Sequence, residues 1–401
     1  MRFKKRMAMP IGYLIPVASY LDKETMLGIM PPLNRKLKEW QDSKLIAFNN
    51  IADNYFSGVT FEKLSNRLNG LNACQLRDIL SDYLNGDQLQ QIKPFLVAVQ
   101  DQENTENIEN SDGQEMLIQD AITEILANLV AIPQGRSFFM QDDHMKNFLY
   151  SFQARESSPR GRAGFAAAIA VLSFENPQGQ ELLTEDDRMK NLLHSFKDHQ
   201  NTPNGIEYLA AVIADLASTD QGKKLFTQDK HIINLLCSFK DQVNIPEGRS
   251  NIALAIARLA ETPQGRTLLT RDGRIKNLLC SFQGQVNTPI GRAVIALAIA
   301  NLAFESQIGK FLLTEDAQIK NLLCSFQVQE NTPAGRENIA LAIIKLSLSP
   351  KGKALLIQDD SIKNLLELFK TQENTANGRL TINKALLNLS SPQPSYSCIL
   401  S

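Results

Sequence analysis

Residues 262–304 read TPQGRTLLTRDGRIKNLLCSFQGQVNTPIGRAVIALAIANLAF, and their turn signals divide them into three helices. Pro263 opens a short one, about Gln264 to Thr270; proline is tolerated there because its missing N–H would have no helical partner anyway. The second spans about Asp272 to Gln283, where Ile275, Leu278, Leu279 and Phe282 make one apolar stripe. A loop with Asn287, Thr288 and Pro289 ends at Gly291. From there the third helix runs to about Phe304, with Ile295, Leu297, Ala298, Ile299 and Leu302 apolar. It is apolar nearly all round, as a helix sandwiched between neighbours should be.

The same unit returns every 43 or 44 residues between Pro133 and Ser391. One glycine recurs at Gly135, Gly179, Gly222, Gly265, Gly309 and Gly352, and a second at Gly161, Gly205, Gly248, Gly291, Gly335 and Gly378. An asparagine keeps step at Asn147, Asn191, Asn234, Asn277, Asn321 and Asn364. A helical unit of this length cannot bury its apolar face alone, so successive units are expected to stack into a solenoid with a long binding surface. The second-helix asparagines are expected to bond to neighbouring loop backbone, not to a ligand.

The chain has 401 residues, 43% apolar and 21% charged, enough for a large core, and nothing in it suggests a membrane span. A net charge of −1 argues against a nucleic-acid solenoid, which needs Lys and Arg clustered along one face. Three of five cysteines, Cys237, Cys280 and Cys324, share one repeat position with Tyr150, His194 and Glu367. Core packing fits them better than disulfides or catalysis. No HExxH, paired CxxC or glycine-rich phosphate loop accompanies the histidines at 144, 194, 199 and 231, so neither metal nor cofactor nor active site is expected. Arg2 to Arg6 and the apolar run to Leu21 imitate a secretory signal. Pro10, Gly12 and Pro16 interrupt that run, and the apolar pattern continues through Met26, Leu27, Ile29, Leu33 and Trp40, so a folded module explains more residues.

The unit of short, apolar second and long third helix, ending Ala-Asn-Leu-Ala, resembles the armadillo repeat, with HEAT repeats the nearest alternative. The likeness covers Leu76 to Ser391 in about seven units. The first is irregular, with Ile92, Leu96 and Val97 in its second helix, Ala121 to Val130 as its third, and an exposed loop at Gln102 to Gly113. In that family third helices line a concave groove, and an asparagine near their ends clamps an extended peptide. Here the column reads Asn128, Val171, Asp215, Arg258, Asn301, Lys345 and Asn388. So mixed a set points to a folded partner with its own charge pattern. An earlier column, Gly164, Tyr208, Asn251, Val294 and Asn338, varies as well. Recognition would produce such variation, and drift on an unused solvent face would look the same. The resemblance thus implies a target groove of Asn128, Tyr208, Asp215, Asn251, Arg258, Asn301, Asn338, Lys345 and Asn388.

Residues 9–45 read MPIGYLIPVASYLDKETMLGIMPPLNRKLKEWQDSKL. The layout resembles an F-box, with departures at Gly12, Pro16 and Pro31-Pro32. That implies docking on the Skp1 adaptor of cullin ubiquitin ligases through Met9, Pro10, Leu14, Val17, Tyr20, Leu21, Met26, Leu27 and Leu33. A module of this size needs a partner or neighbouring domain for stability; a helical cap on the solenoid is the alternative. The last residues, Cys398-Ile399-Leu400-Ser401, form a C-a-a-X box favouring farnesyl on Cys398.

The expected organisation is an all-α chain: an F-box-like module at 1–50, a helical linker at 51–75, a right-handed α-solenoid of armadillo-like repeats at 76–391 and a flexible tail at 392–401. Its expected role is that of a non-catalytic substrate receptor of a Skp1–cullin ligase, binding a target protein in its groove and held by a prenyl group on the cytosolic face of membranes. The arrangement resembles translocated F-box effectors of intracellular bacteria, which would place it in a host cell; a eukaryotic origin stays open. The rivals are a prenylated scaffold without ligase recruitment, and an enzyme with a site in the first seventy residues or the cysteine column.

Overall fold

A computed structural model describes residues 157–391, except 175, 243, 244 and 272, together with scattered positions from 123 to 154. Among these residues the regular structure is helical, with no strand. Apart from a few positions of its third helix, among them buried Leu126 and Val130, the irregular first unit lies outside them, as does the whole of its acidic loop. The helices are α1 (Pro133–Gln141) and α2 (Pro159–Ser173), followed by five sets of three. These sets are α3 (Pro177–Leu183), α4 (Arg188–Ser195) and α5 (Pro203–Leu216); α6 (Asp220–Phe226), α7 (His231–Ser238) and α8 (Pro246–Leu259); and α9 (Pro263–Leu269), α10 (Arg274–Cys280) and α11 (Pro289–Ala303). They continue with α12 (Gln307–Leu313), α13 (Gln318–Ser325) and α14 (Pro333–Ser347), then α15 (Pro350–Leu356), α16 (Ser361–Lys370) and α17 (Ala376–Ser390).

The chain divides into two compact units, Met1–Leu172 and Ser173–Ser401. In the first, the Phe152 and Phe165 rings stack 3.8 Å apart, and Arg162 donates to the carbonyls of Ala154, at 3.0 Å, and Ser157. In the second, like packs on like. The long third helices pair in the order α5–α8–α11–α14–α17, the second helices in the order α4–α7–α10–α13–α16, and the short ones as α9–α12–α15. Fully buried Ala210, Ala253, Ala296 and Ala340 let the third helices approach closely, and Phe196, Phe239, Phe282, Phe326 and Phe369 fill the core at the ends of the second helices.

Both glycine ladders are helix starts. Thr219, Thr262, Ser306 and Ser349 cap the short helices by accepting from the N–H of Gly222, Gly265, Gly309 and Gly352. A Cβ on Gly222 or Gly265 would stand 1.9 or 1.8 Å from the carbonyl oxygen of Leu216 or Leu259, so that position admits no side chain. In the second ladder Thr202, Thr288, Thr332 and Thr375 cap the long helices. Because Thr288 is the cap, α11 starts at Pro289, ahead of the Gly291 boundary read from sequence. The second helix is shorter than its apolar stripe suggests: Gly273, at φ 75, precedes its start, and Phe282 and Gln283 lie in turns closed on Leu279 and Cys280.

The loop-stitching asparagine is also not the one expected. Asn191, Asn277, Asn321 and Asn364 are exposed, and half-buried Asn234 accepts from Arg274 Nη1 of the following set at 2.8 Å, a side chain and not loop backbone. The work falls to Asn287, whose amide donates to the carbonyls of Phe282 and Gln285, both at 3.1 Å, while its oxygen accepts from Arg249 Nε of the preceding set at 2.9 Å. Asn331 with Arg292 and Asn374 with Arg336 repeat this. A second stitch joins buried Lys190, Lys276 and Lys320 to Asp229, Asp316 and Asp359 of the following set at 2.8, 2.7 and 2.5 Å. On the last second helix Lys363 is exposed.

Candidate functional site

Each third helix carries one face on which a central residue is flanked by positions three before and four after, which share a helix side. These lines are Tyr208–Ala211–Asp215, Asn251–Leu254–Arg258, Val294–Leu297–Asn301 and Asn338–Leu341–Lys345. Leu254, Leu297 and Leu341 are half-buried, whereas Ile295, Ala298, Ile299 and Leu302 are fully enclosed. Leu297 therefore belongs to a surface line and not to the sandwiched core its helix suggested. Because α5, α8, α11 and α14 pack in sequence, their lines lie side by side: an apolar midline between polar margins.

The expected groove residues divide into two kinds. Three asparagines brace the helices: Asn251 Nδ2 donates to Glu207 O at 3.3 Å, Asn301 to Ala257 O at 3.0 Å and Asn338 to Ala293 O at 3.1 Å. Tyr208 is buried, and Asp215 accepts from Ser173 Oγ at 3.3 Å. Arg258, Lys345 and Asn388 are half-buried and carry the face's outward polar groups. Asn128, the docking positions from Met9 to Leu33 and the lipidation residue Cys398 lie outside the described residues.

Charge separates along the helices. Near their starts, burial and the neighbouring Glu247 push the Glu207 carboxyl up to about 7. Near their ends, the Lys345 ammonium stands 4.2 Å over the Phe304 ring, and the Arg266 guanidinium lies 5.3 Å from it. Burial holds Lys345 below the ordinary lysine value against the pull of Glu305, with Lys384 and Lys310 adding to the lowering. Sequence reasoning missed this cluster, because Phe304 reads only as the last residue of an apolar helix.

Cys237, Cys280 and Cys324 form no disulfide and are half-buried. Burial pushes the Cys280 thiol up to about 11 and raises Cys324, so both are held as thiols at neutral pH, where a thiolate would be the nucleophile. In the same column the His194 ring stacks on His231 at 4.3 Å. Among the described residues no group of His, Cys, Asp and Glu is arranged to hold a metal, and no helix is long and apolar enough to cross a membrane. No protein-family model matches the sequence, and comparison with curated proteins finds no match.

Proposed function

We propose that the chain is an adaptor: an F-box-like module that docks Skp1 of a cullin ubiquitin ligase, joined to a right-handed solenoid of about seven armadillo-like repeats that holds a target protein. The observation that carries the binding half is the face shared by α5, α8, α11 and α14, with Leu254, Leu297 and Leu341 half-exposed between polar margins. Apolar side chains set in a polar rim are what a protein interface presents. Support for the ligase half is the match of Met9-Pro10, Leu14, Ser19-Tyr20-Leu21-Asp22, Leu33-Asn34-Arg35 and Trp40 to the F-box layout.

On this reading the protein does no bond chemistry. It raises the concentration of its target beside a ubiquitin-charged enzyme. Farnesyl on Cys398 would hold it at the cytosolic face of membranes, in a host cell if the chain is a translocated bacterial effector; a single lipid is a weak anchor, so a second contact is needed. The test is co-precipitation of purified Skp1 by the full chain and by a Pro10→Ala/Leu14→Ala variant. Capture that the variant loses supports the adaptor. Failure of the folded wild-type chain to capture Skp1 leaves a prenylated scaffold.

A further inference from the structure

Each of α8, α11 and α14 turns one side towards the next set. On α14 that side carries Glu337, which accepts from Thr375 Oγ1 at 3.2 Å, together with fully buried Ala340 and Ile344, 6% exposed. On α8 and α11 the first of these positions holds Ser250 and Ala293, each placed against the second glycine of the following set, Gly291 or Gly335. The same three positions on α17 are Leu380, Asn383 and Leu387, and among the described residues no further set follows. Most of this open end has become polar: Asn383 replaces alanine, Glu367 replaces cysteine, and both are exposed beside Lys363 and Asn364 of α16. Leu380 changes in the opposite sense, standing where earlier sets have Glu207, Ser250, Ala293 and Glu337. It is 69% exposed and Leu387 is 68% exposed. The two lie on one side of α17, about 10 Å apart along its axis. Covering them would withdraw apolar surface from water.

We propose that this stripe is the docking site of the chain's own residues 395–400, which lie outside the described residues, folded back along α17 with Tyr396 on Leu387 and Ile399 on Leu380. Position, length and charge choose this occupant. The helix ends at Ser391, whose backbone is extended at φ −66, ψ 139 and whose carbonyl and hydroxyl accept from Lys353 Nζ at 2.5 and 3.1 Å. Pro392 follows and cannot continue the helix hydrogen bonds, so the segment departs about 6 Å beyond Leu387. In a polyproline II run, with three residues per turn, Tyr396 and Ile399 share one side about 9 Å apart, which matches the spacing of the two leucines. Ser391 to Ile399 reaches about 25 Å in that form, enough to turn at Pro392 to Pro394 and return the roughly 16 Å to Leu380. Residues 391–401 carry no charged side chain. A second copy paired two-fold on the same stripe would instead set Lys384, exposed midway between the leucines, against its own counterpart. Tethering also supplies the segment at a millimolar effective concentration. The contact does not depend on the adaptor role, and it would hold Cys398, where the lipid is expected, beside Asn383.

The experiment oxidises the full, unlipidated chain carrying Asn383→Cys under mild conditions and follows its disulfide to Cys398 by peptide mass mapping. Lys363→Cys, on the exposed side of α16 in the same set, is the control. The within-chain disulfide should form about tenfold faster from position 383 than from position 363. Adding Leu380→Ser and Leu387→Ser should bring the faster rate down to that of the control. Both leucines are exposed, so this variant keeps its fold, which circular dichroism checks. Equal rates from positions 383 and 363, or a preference that survives loss of the leucines, overturns the contact. Disulfide-linked dimers through position 383 assign the stripe to a second copy and overturn it as well. So does sedimentation of the wild-type chain with phosphatidylcholine vesicles that the leucine variant loses, since a lipid surface would then be the occupant.

Discussion

The second-helix row and the third-helix face of the same unit are built from the same repeat yet use their variation oppositely. Along the second helices, Phe196, Phe239, Phe282, Phe326 and Phe369 are identical, and Lys190, Lys276 and Lys320 meet aspartates in one register. On the outer line of the third helices, Asp215, Arg258, Asn301 and Lys345 differ at every step. Positions whose partner is the next copy of the repeat stay the same, because the partner is also the same. Arg258 and Lys345, whose charged groups face outward, are released from that constraint, while Asp215 and Asn301 each meet a neighbour of their own, Ser173 and Ala257.

Replacing a row residue should therefore hurt far more than replacing a face residue. Phe282→Ala should destabilise by about 3–5 kcal/mol through the cavity it leaves, whereas Leu297→Ala should cost about 1 kcal/mol; urea unfolding of the two variants measures the contrast. Equal losses would erase the distinction. Next in size is Asn331→Ala, which strands Arg292 Nε and the carbonyls of Phe326 and Gln329 and should cost about 2–3 kcal/mol, while the exposed Asn321→Ala should be near neutral by the same assay.

Glu207 sharpens the comparison from the face side. With its folded value raised to about 7, the ionised form is disfavoured in the folded chain, so stability falls as pH rises from about 4.5 towards 7. Glu207→Gln should be neutral at acid pH and stabilise by about 1–2 kcal/mol above pH 7, allowing for its partial solvent contact. Thermal melts across pH would read this, and a stabilisation that grows on acidification would contradict it.

The smallest expected effect is Lys276→Met, at about 1 kcal/mol because Asp316 keeps solvent, against near zero for Lys363→Met. Although burial pushes the Asp316 carboxyl upward, the hydrogen bonds from Lys276 and the Gln318 N–H, together with the charges of Lys276 and Lys351, outweigh it and hold the group below the ordinary carboxylate value. The advantage of wild type over Lys276→Met should be full above that value and shrink as pH falls through the depressed one. Melts of the two lysine variants over acid pH test it.

Helix type and period were legible because caps, glycines and apolar spacing act within a few residues. Thr288, Gly291 and the nearly continuous apolar run of 295–302 all point to one helix from neighbours in sequence alone. What escaped depends on residues about forty apart. Asn287 and Asn277 are equally periodic, and only the arrival of Arg249 shows which of them stitches the sets. Leu297 and Ile299 are equally apolar, and packing against α8 and α14 decides which is enclosed. Lys345 over Phe304 brings two adjacent sets together, a contact that no single-copy reading contains.

The most direct measurement is a calorimetric titration of purified Skp1 into the full chain, a Pro10→Ala/Leu14→Ala variant and a Leu297→Asp/Lys345→Glu variant. The adaptor account predicts binding by the wild-type chain that the first variant loses and the second keeps. A folded wild-type chain that fails to bind Skp1, or a loss confined to the third-helix variant, would contradict it.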